Sequence, residues 1–554
     1  MKIKLWFLCI FLAVAAPLVS LSFFDEGSPA QLAAAIESAM TDEQALAQLI
    51  MVGWSGEEIP PALMDWIRLR NVGSVKVFGW NTGDTMRVAR SIGQMQRASL
   101  ASPFNIPLLI ATDQEGGWIR HIRGMTSETP GNMAIGATRY PRDAYLSGYY
   151  IGKELSLVGV NMNFAPTVDL FTNRNSVVIG PRSFGSDPVQ AGVLGSAFAR
   201  GQLAAGIIPT AKHFPGHGDT ALDSHGILPR IDVNFETLWG RELIPYRMLV
   251  WEGIPAIMSG HLAFPMTQGG NTPASLSSWF LLDVLRERIG FNGVIITDEL
   301  NMIGATSYLR NFPRTAKQAI EAGNDIIMLS SAPSINDQVW TFLYNSMRTE
   351  ENFRAIVRNS TRRILELKLT YLRGENSVPY IPDLTRVAAE LPSADASSFF
   401  LDLAARSVTV VKPSQAELNN VETPIPLTRE KAGRVLLVGR YSGFFNYGRI
   451  AFPNASSFSF SAATDPQNLI AAARNADTII FCLSDLFDLR MLRNLQHLGR
   501  QVYVLSILSP VHIESVPWVT AAIAVYSYAP ESFAAGFSAM IGRIPALGIL
   551  PYEL

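Results

Sequence analysis

Through its first two thirds the chain repeats one pattern: a short, continuously apolar run closes on polar or glycine-rich residues, and a stretch with helical spacing follows. The runs are QLIMVGW (48–54), SVKVFG (74–79), PLLIATDQEGG (107–117), VNMNFAPTVD (160–169), GIIPTAKHFPG (206–216), IPAIMSGHLAF (254–264), GVIITDELNM (293–302) and NDIIMLSS (324–331). Apolar runs that do not alternate suit a parallel sheet covered on both faces. Eight such units are the number that closes a (β/α)8 TIM-type barrel. Asp113, Glu115, Asp169, Lys212, His213, His261, Asp298 and Glu299 all fall at the C-terminal ends of these runs. In barrels that is the face that carries the active site.

Between 373 and 394 (RGENSVPYIPDLTRVAAELP among its residues) the rhythm lapses and prolines accumulate, which marks a linker after a barrel domain at 25–372. Beyond it SVTVVK (407–412), RVLLVG (434–439), DTIIFCLS (477–484), QVYVLSIL (501–508) and AAIAVYSY (521–528) alternate with helical stretches. This predicts a smaller α/β sandwich domain at 395–554 with an open parallel sheet. No catalytic constellation is visible in it. Its VGRYSGFFNYG segment departs from the G-x-G-x-x-G fingerprint, so no cofactor is expected.

Composition narrows the partners. A formal net charge of −2, with 17% charged residues, lacks the excess of Lys and Arg that phosphate neutralisation needs, so no nucleic-acid partner is expected. Residues 1–24 place Lys2 and Lys4 before an apolar run and small residues after it, the order of a secretory signal peptide. The run nearly reaches the ~20 residues that span a bilayer, so an uncleaved membrane tether is the alternative. Either way the remainder is expected to be exported: periplasmic, secreted or anchored facing outward. Once Cys9 is removed with the leader, Cys482 is left alone, so no intrachain disulfide can form. Oligomeric state leaves no mark in the sequence.

The densest chemistry is KHFPGHGDTALDSH (212–225), with three histidines, two aspartates and a lysine in 14 residues. His213, His217, Asp219, Asp223 and His225 are all ligand types. However, Pro215, Gly216 and Gly218 break the helix that an H-x3-H pair would use, and no zinc signature accompanies them; no metal is expected. In an extended loop the Asp223 carboxylate can reach a ring nitrogen of His225 and fix its tautomer, leaving the other nitrogen to move a proton. A plain Asp-Ser-His turn is the alternative. Across a barrel mouth from that loop, Asp298 would supply a carboxylate nucleophile, the second half of a retaining glycosidase. Glu299, one residue on, is expected to face the opposite side of the strand, although a swap of roles stays open.

ATDQEGG, NFAPTVDL, VIGPRSFGSDP, KHFPGHGDTALDSHGILP and GVIITDELNM, in this order, resemble glycoside hydrolase family 3, specifically its β-N-acetylglucosaminidase branch. The second domain resembles, more weakly, the sandwich that accompanies many members. The resemblance implies Asp298 as nucleophile, His225 as general acid/base and Asp223 as its dyad partner. It implies sugar-binding roles for Asp113, Arg182, Lys212 and His213, and a GlcNAc-containing oligosaccharide as substrate. Glycines 216, 218 and 226 suggest that the loop carrying His225 closes over bound sugar. Trp118 or Phe214 could offer an aromatic face, but core packing is the expected duty of either. One departure stands out: where the family usually reads Arg-Val-x-Arg after the double glycine, this chain has Trp118-Ile119-Arg120-His121, leaving Arg120 or Arg123 as substitutes. The alternatives are a β-glucosidase or β-xylosidase of the same family, a sugar-binding surface protein without activity, and a metal-dependent hydrolase.

Overall fold

The computed structural model describes residues 21–176, 178–413 and 424–553. Most of the leader expected at 1–24 lies outside them. Its last residues are docked: Phe23 is fully buried in the barrel core and its N–H bonds Phe104 O at 2.8 Å. No helix among the described residues is long and apolar enough to cross a membrane.

Eight parallel strands close a barrel: β1 (Ile50–Val52), β2 (Ser74–Lys76), β3 (Leu109–Thr112), β4 (Met162–Asn163), β5 (Ile208–Phe214), β6 (Ala256–Ser259), β7 (Val294–Glu299) and β8 (Ile326–Leu329). Each of the eight apolar runs contains one strand, and β8 pairs back onto β1 through Ile327 and Ile50. The strands are shorter than the runs because polar side chains take over the pairing. Asn161 bonds Ile110 N and Leu108 O at 2.8 and 2.9 Å, and Asn163 bonds Gln114 N and O at 2.9 Å each. These two amides stand in for backbone ladder bonds beside β4 and fix the turn after β3 that carries Asp113 and Glu115. Around the barrel the helices pack closely where side chains vanish. A Cβ at Gly148 would sit 2.1 Å from Phe198 O, and one at Gly201 would sit 2.0 Å from Tyr145 O, so helices Pro141–Leu157 and Pro188–Ala204 touch backbone to backbone.

The 373–394 segment lies along the barrel and includes a helix, Leu384–Glu390, with Val387 buried. The following helix, Ala394–Ser407, gives Phe400 and Leu403 to the barrel core and Ala404 to the core of the second domain. That domain holds a six-stranded sheet of β9 (Thr409–Lys412), β10 (Val435–Gly439), β11 (Ser456–Ser459), β12 (Thr478–Leu483), β13 (Gln501–Ser506) and β14 (Ala521–Ala524), in the order β9-β14-β13-β12-β10-β11. Two features correct the expected sheet. β9 runs antiparallel to β14, so the sheet is mixed. An additional strand, β11, sits on the edge with three of its four residues exposed, so it carries no apolar run to betray it.

The last residues lace the two domains together. Ile549 N bonds Ala137 O at 2.9 Å, Ser186 N bonds Pro551 O at 3.0 Å, and the Tyr552 ring meets Phe171 edge-on at 4.8 Å. Arg174 reaches Glu514 at 2.6 Å and Glu553 O at 2.9 Å.

Candidate active site

The C-terminal ends of the strands converge on a cavity of about 490 Å³ whose lining includes Asp113, Arg182, Lys212, His213, His225 and Asp298, brought from the ends of four strands and the loops that follow them. Two larger surface grooves, one around Pro426 and Ile544 and one around Trp239 and Trp251, bring no carboxylate and imidazole together.

One wall is an ionic lattice. Lys212 Nζ lies 2.5 Å from Asp113 Oδ1 and 2.6 Å from Glu115 Oε1, while Arg182 grips Glu115 bidentately at 2.8 Å per bond. These groups are nearly excluded from solvent, so each charge is tolerable only because its partner is in contact. Burial pushes the Asp113 carboxyl upward, but Lys212 and Lys76, aided by His121, outweigh it and hold it well below the usual range. The same contest, won by Arg182 and Lys212, holds Glu115 at about 2. The lattice therefore presents fixed charges and fixed donors rather than titrating groups.

His213 stands next to it. Its Nδ1 lies 2.7 Å from Asp169 Oδ2, and the Asp169 carboxylate also accepts from the backbone N–H groups of His213 and His217. With Nδ1 donating to Asp169, Nε2 carries the lone pair, and it faces Arg182 at 3.4 Å. His217 contacts Ser224 Oγ at 3.4 Å, and burial drives its pKa down to about 4. Each histidine of the loop thus has a different partner, and among the described residues no group of three His, Cys, Asp or Glu is arranged to hold a metal ion.

Asp298 ends β7. Burial would raise its carboxyl, but His213, His261 and the Glu299 N–H at 2.8 Å prevail and lower it to about 2, so it is ionised at any ordinary pH. His225 lines the same cavity; its Nδ1 lies 2.7 Å from Asp223 Oδ1, and the same oxygen accepts the His225 N–H at 2.9 Å. The expected pairing of residues two apart is present, and it leaves His225 Nε2 free, on a ring whose side chain is 72% exposed. The loop is pegged at Ser224, which is buried and whose carbonyl accepts Gly304 N at 3.1 Å, whereas residues 221–223 and 225–227 are exposed. At its root Gly218 lies against β4's outgoing chain: a Cβ there would sit 1.6 Å from Leu170 O.

Two expectations are corrected. Glu299 does not turn away from Asp298; both line the cavity, because the β7–β8 register shifts between Ile326 and Met328 and the alternation of the strand fails there. Phe214 is fully buried against Tyr246, the core duty expected of it, whereas Trp118 is not in the core but lines a separate cleft with Arg120, Arg123 and Tyr528. The aromatic face belongs instead to Trp80, stacked on Phe78 at 4.3 Å with an interplanar angle of 7°. Sequence reasoning also missed Lys76, whose only signal was a lysine inside the apolar run SVKVFG.

An ionised carboxylate and a carboxylate-paired imidazole lining one charged cavity at a barrel mouth are equipment for nucleophilic and acid/base chemistry. Residues 40–367 match the glycosyl hydrolase family 3 N-terminal domain, and the chain belongs to that family. A β-hexosaminidase A from Pseudoalteromonas piscicida is 33% identical over 61% of this chain and 60% of its own length, and a β-hexosaminidase from Tolumonas auensis is 36% identical over 50% of this chain and 81% of its own. The match thus spans less than two thirds of the Pseudoalteromonas relative. Among solved structures, a family 3 β-N-acetylglucosaminidase from Paenibacillus superimposes with a TM-score of 0.82 at 26% identity, covering 93% of this chain and 99% of that one.

Proposed function

We propose that this chain hydrolyses terminal β-linked N-acetylglucosamine from oligosaccharides with retention of configuration. The observation that carries the reading is that Asp298 and His225 line one cavity. In the first step an Asp298 oxygen forms a bond to the anomeric carbon while the glycosidic bond breaks, and the proton on His225 Nε2 passes to the leaving oxygen. In the second, water replaces the carboxylate at that carbon and returns a proton to Nε2. Asp223 orients the ring and balances the imidazolium that precedes the first step and is restored by the second. Asp113, Arg182, Lys212 and His213 hold the sugar, since a lattice of satisfied charges has donors and acceptors already aimed and rejects a ring whose hydroxyls cannot meet them. With a leader at the N-terminus, the substrates are those found outside the cytoplasm: peptidoglycan fragments, chitin oligosaccharides or host glycans.

The test compares aryl β-glycosides of GlcNAc, glucose and xylose. Preference for GlcNAc is expected, with kcat lost in Asp298→Gly and regained with added azide as an inverted glycosyl azide. Faster turnover of glucose or xylose would overturn the substrate, and undiminished activity of the Asp298 variant would overturn the mechanism.

A further inference from the structure

The family's second arginine is missing, and neither neighbouring arginine replaces it. Ile119 and His121 face the cavity, whereas Trp118 and Arg120 face the cleft on the other side of the hairpin Gln114–Gly116/Ile119–Arg120. Arg120 is held there by Thr126 O at 2.7 Å and Glu128 at 3.0 Å, and Arg123 bonds Arg120 O. His121 is no substitute: burial lowers its pKa to about 4, so it is neutral, and its Nδ1 is buried without a hydrogen bond, 3.6 Å from Asp113.

The structure assigns that missing cation to Lys76, which enters from the neighbouring strand β2 to bind the sugar together with Asp113; this rests on the activity proposed above. Lys76 Nζ lies 2.6 Å from Asp113 Oδ2, the oxygen that Lys212 does not contact. Its charge lies over the faces of Phe78 and Phe164, at 4.5 and 4.9 Å from the ring centres, which helps to support a buried ammonium. An ammonium has three N–H donors and a carboxylate about four acceptor sites, so after their mutual bond both keep capacity for a sugar hydroxyl. Lys76 borders the same cavity as Asp298, which places one point charge where the family pattern uses a planar fork. A point charge grips one hydroxyl rather than two, so sugar selectivity on this side is set by Asp113 as acceptor.

Lys76→Met and the double variant Lys76→Met/His121→Arg test the assignment, with kcat/KM on aryl β-GlcNAc and inhibition by free GlcNAc as readouts. The single variant is expected to lose about 10- to 100-fold in kcat/KM and to bind GlcNAc correspondingly less, with the double variant recovering most of both. A folded single variant within threefold of the parent, or a double variant that does not recover, overturns the assignment. If Lys76→Met does not fold while the double variant folds but remains inactive, the cation serves packing alone and the assignment falls. A parent protein inactive on aryl β-GlcNAc but active on another glycoside overturns the proposed substrate instead; the pair of variants is then read on that glycoside.

Discussion

Asp169→Asn isolates one bond on which the site depends. The carboxylate accepts from three N–H groups: His213 Nδ1 at 2.7 Å, His213 N at 3.2 Å and His217 N at 2.7 Å. An asparagine has one acceptor oxygen, so its NH2 must confront a donor. If the oxygen keeps the backbone bonds, His213 Nδ1 must become an acceptor, and its proton moves to Nε2, against Arg182 3.4 Å away. If the oxygen keeps Nδ1, a buried backbone N–H is left without a partner. Either outcome costs about 2 to 3 kcal/mol, the worth of a charge-assisted hydrogen bond or of an orphaned buried donor. In the first case the cost falls on catalysis as a loss of roughly 30- to 150-fold in kcat/KM, and in the second on stability. Urea unfolding and steady-state kinetics, with 15N shifts of labelled histidine to identify the tautomer, separate the two. A variant with parental stability, parental kcat/KM and an Nδ1–H tautomer at His213 would refute the reasoning.

Three further outcomes are expected. His225→Ala should reduce turnover of aryl glycosides with good leaving groups little, but that of alkyl glycosides by about 10²- to 10⁴-fold, since only the latter need the proton; equal losses would remove the acid/base role. Gly218→Ala should cost about 100-fold in kcat/KM without unfolding the chain, because its Cβ must push the His225 loop off Leu170 O; parental activity would show that the loop position is immaterial. Lys368 is buried beneath the barrel, bonded to Gln48 and Gly73 O, and burial lowers its pKa to about 7. The unfolded lysine holds its proton up to about pH 10, so stability rises with pH between these limits, by at most about 1.4 kcal/mol per unit, and is lost as pH falls towards 7. Unfolding free energies at pH 7 and 9 should therefore rise by on the order of 2 to 3 kcal/mol relative to Lys368→Gln, and parallel changes would contradict this.

The barrel was legible because a doubly covered parallel strand must be apolar throughout, and eight such runs have few other ways to close. Residues gathered at the strand ends were legible for the same reason: Asp113, Lys212, His213 and Asp298 interrupt apolar runs where a core would not. What failed to show was whatever depended on register or on direction of approach. The bulge beside β7 turns Glu299 inward, and no local residue announces it. Edge strand β11 is polar because one side of it faces water. Lys76 looked like a blemish in an apolar run, since its partner Asp113 arrives from the next strand and is invisible to spacing along either one.

The C-terminal tail gives the second domain a duty that its own sequence does not advertise. By clasping Ser186, Phe171 and Arg174, it braces from behind the stretch of chain on which Arg182 is mounted. A barrel severed from its companion would keep Asp298 and His225 yet lose the buttress behind Arg182, so the sandwich acts as a splint for a cavity that none of its described residues lines.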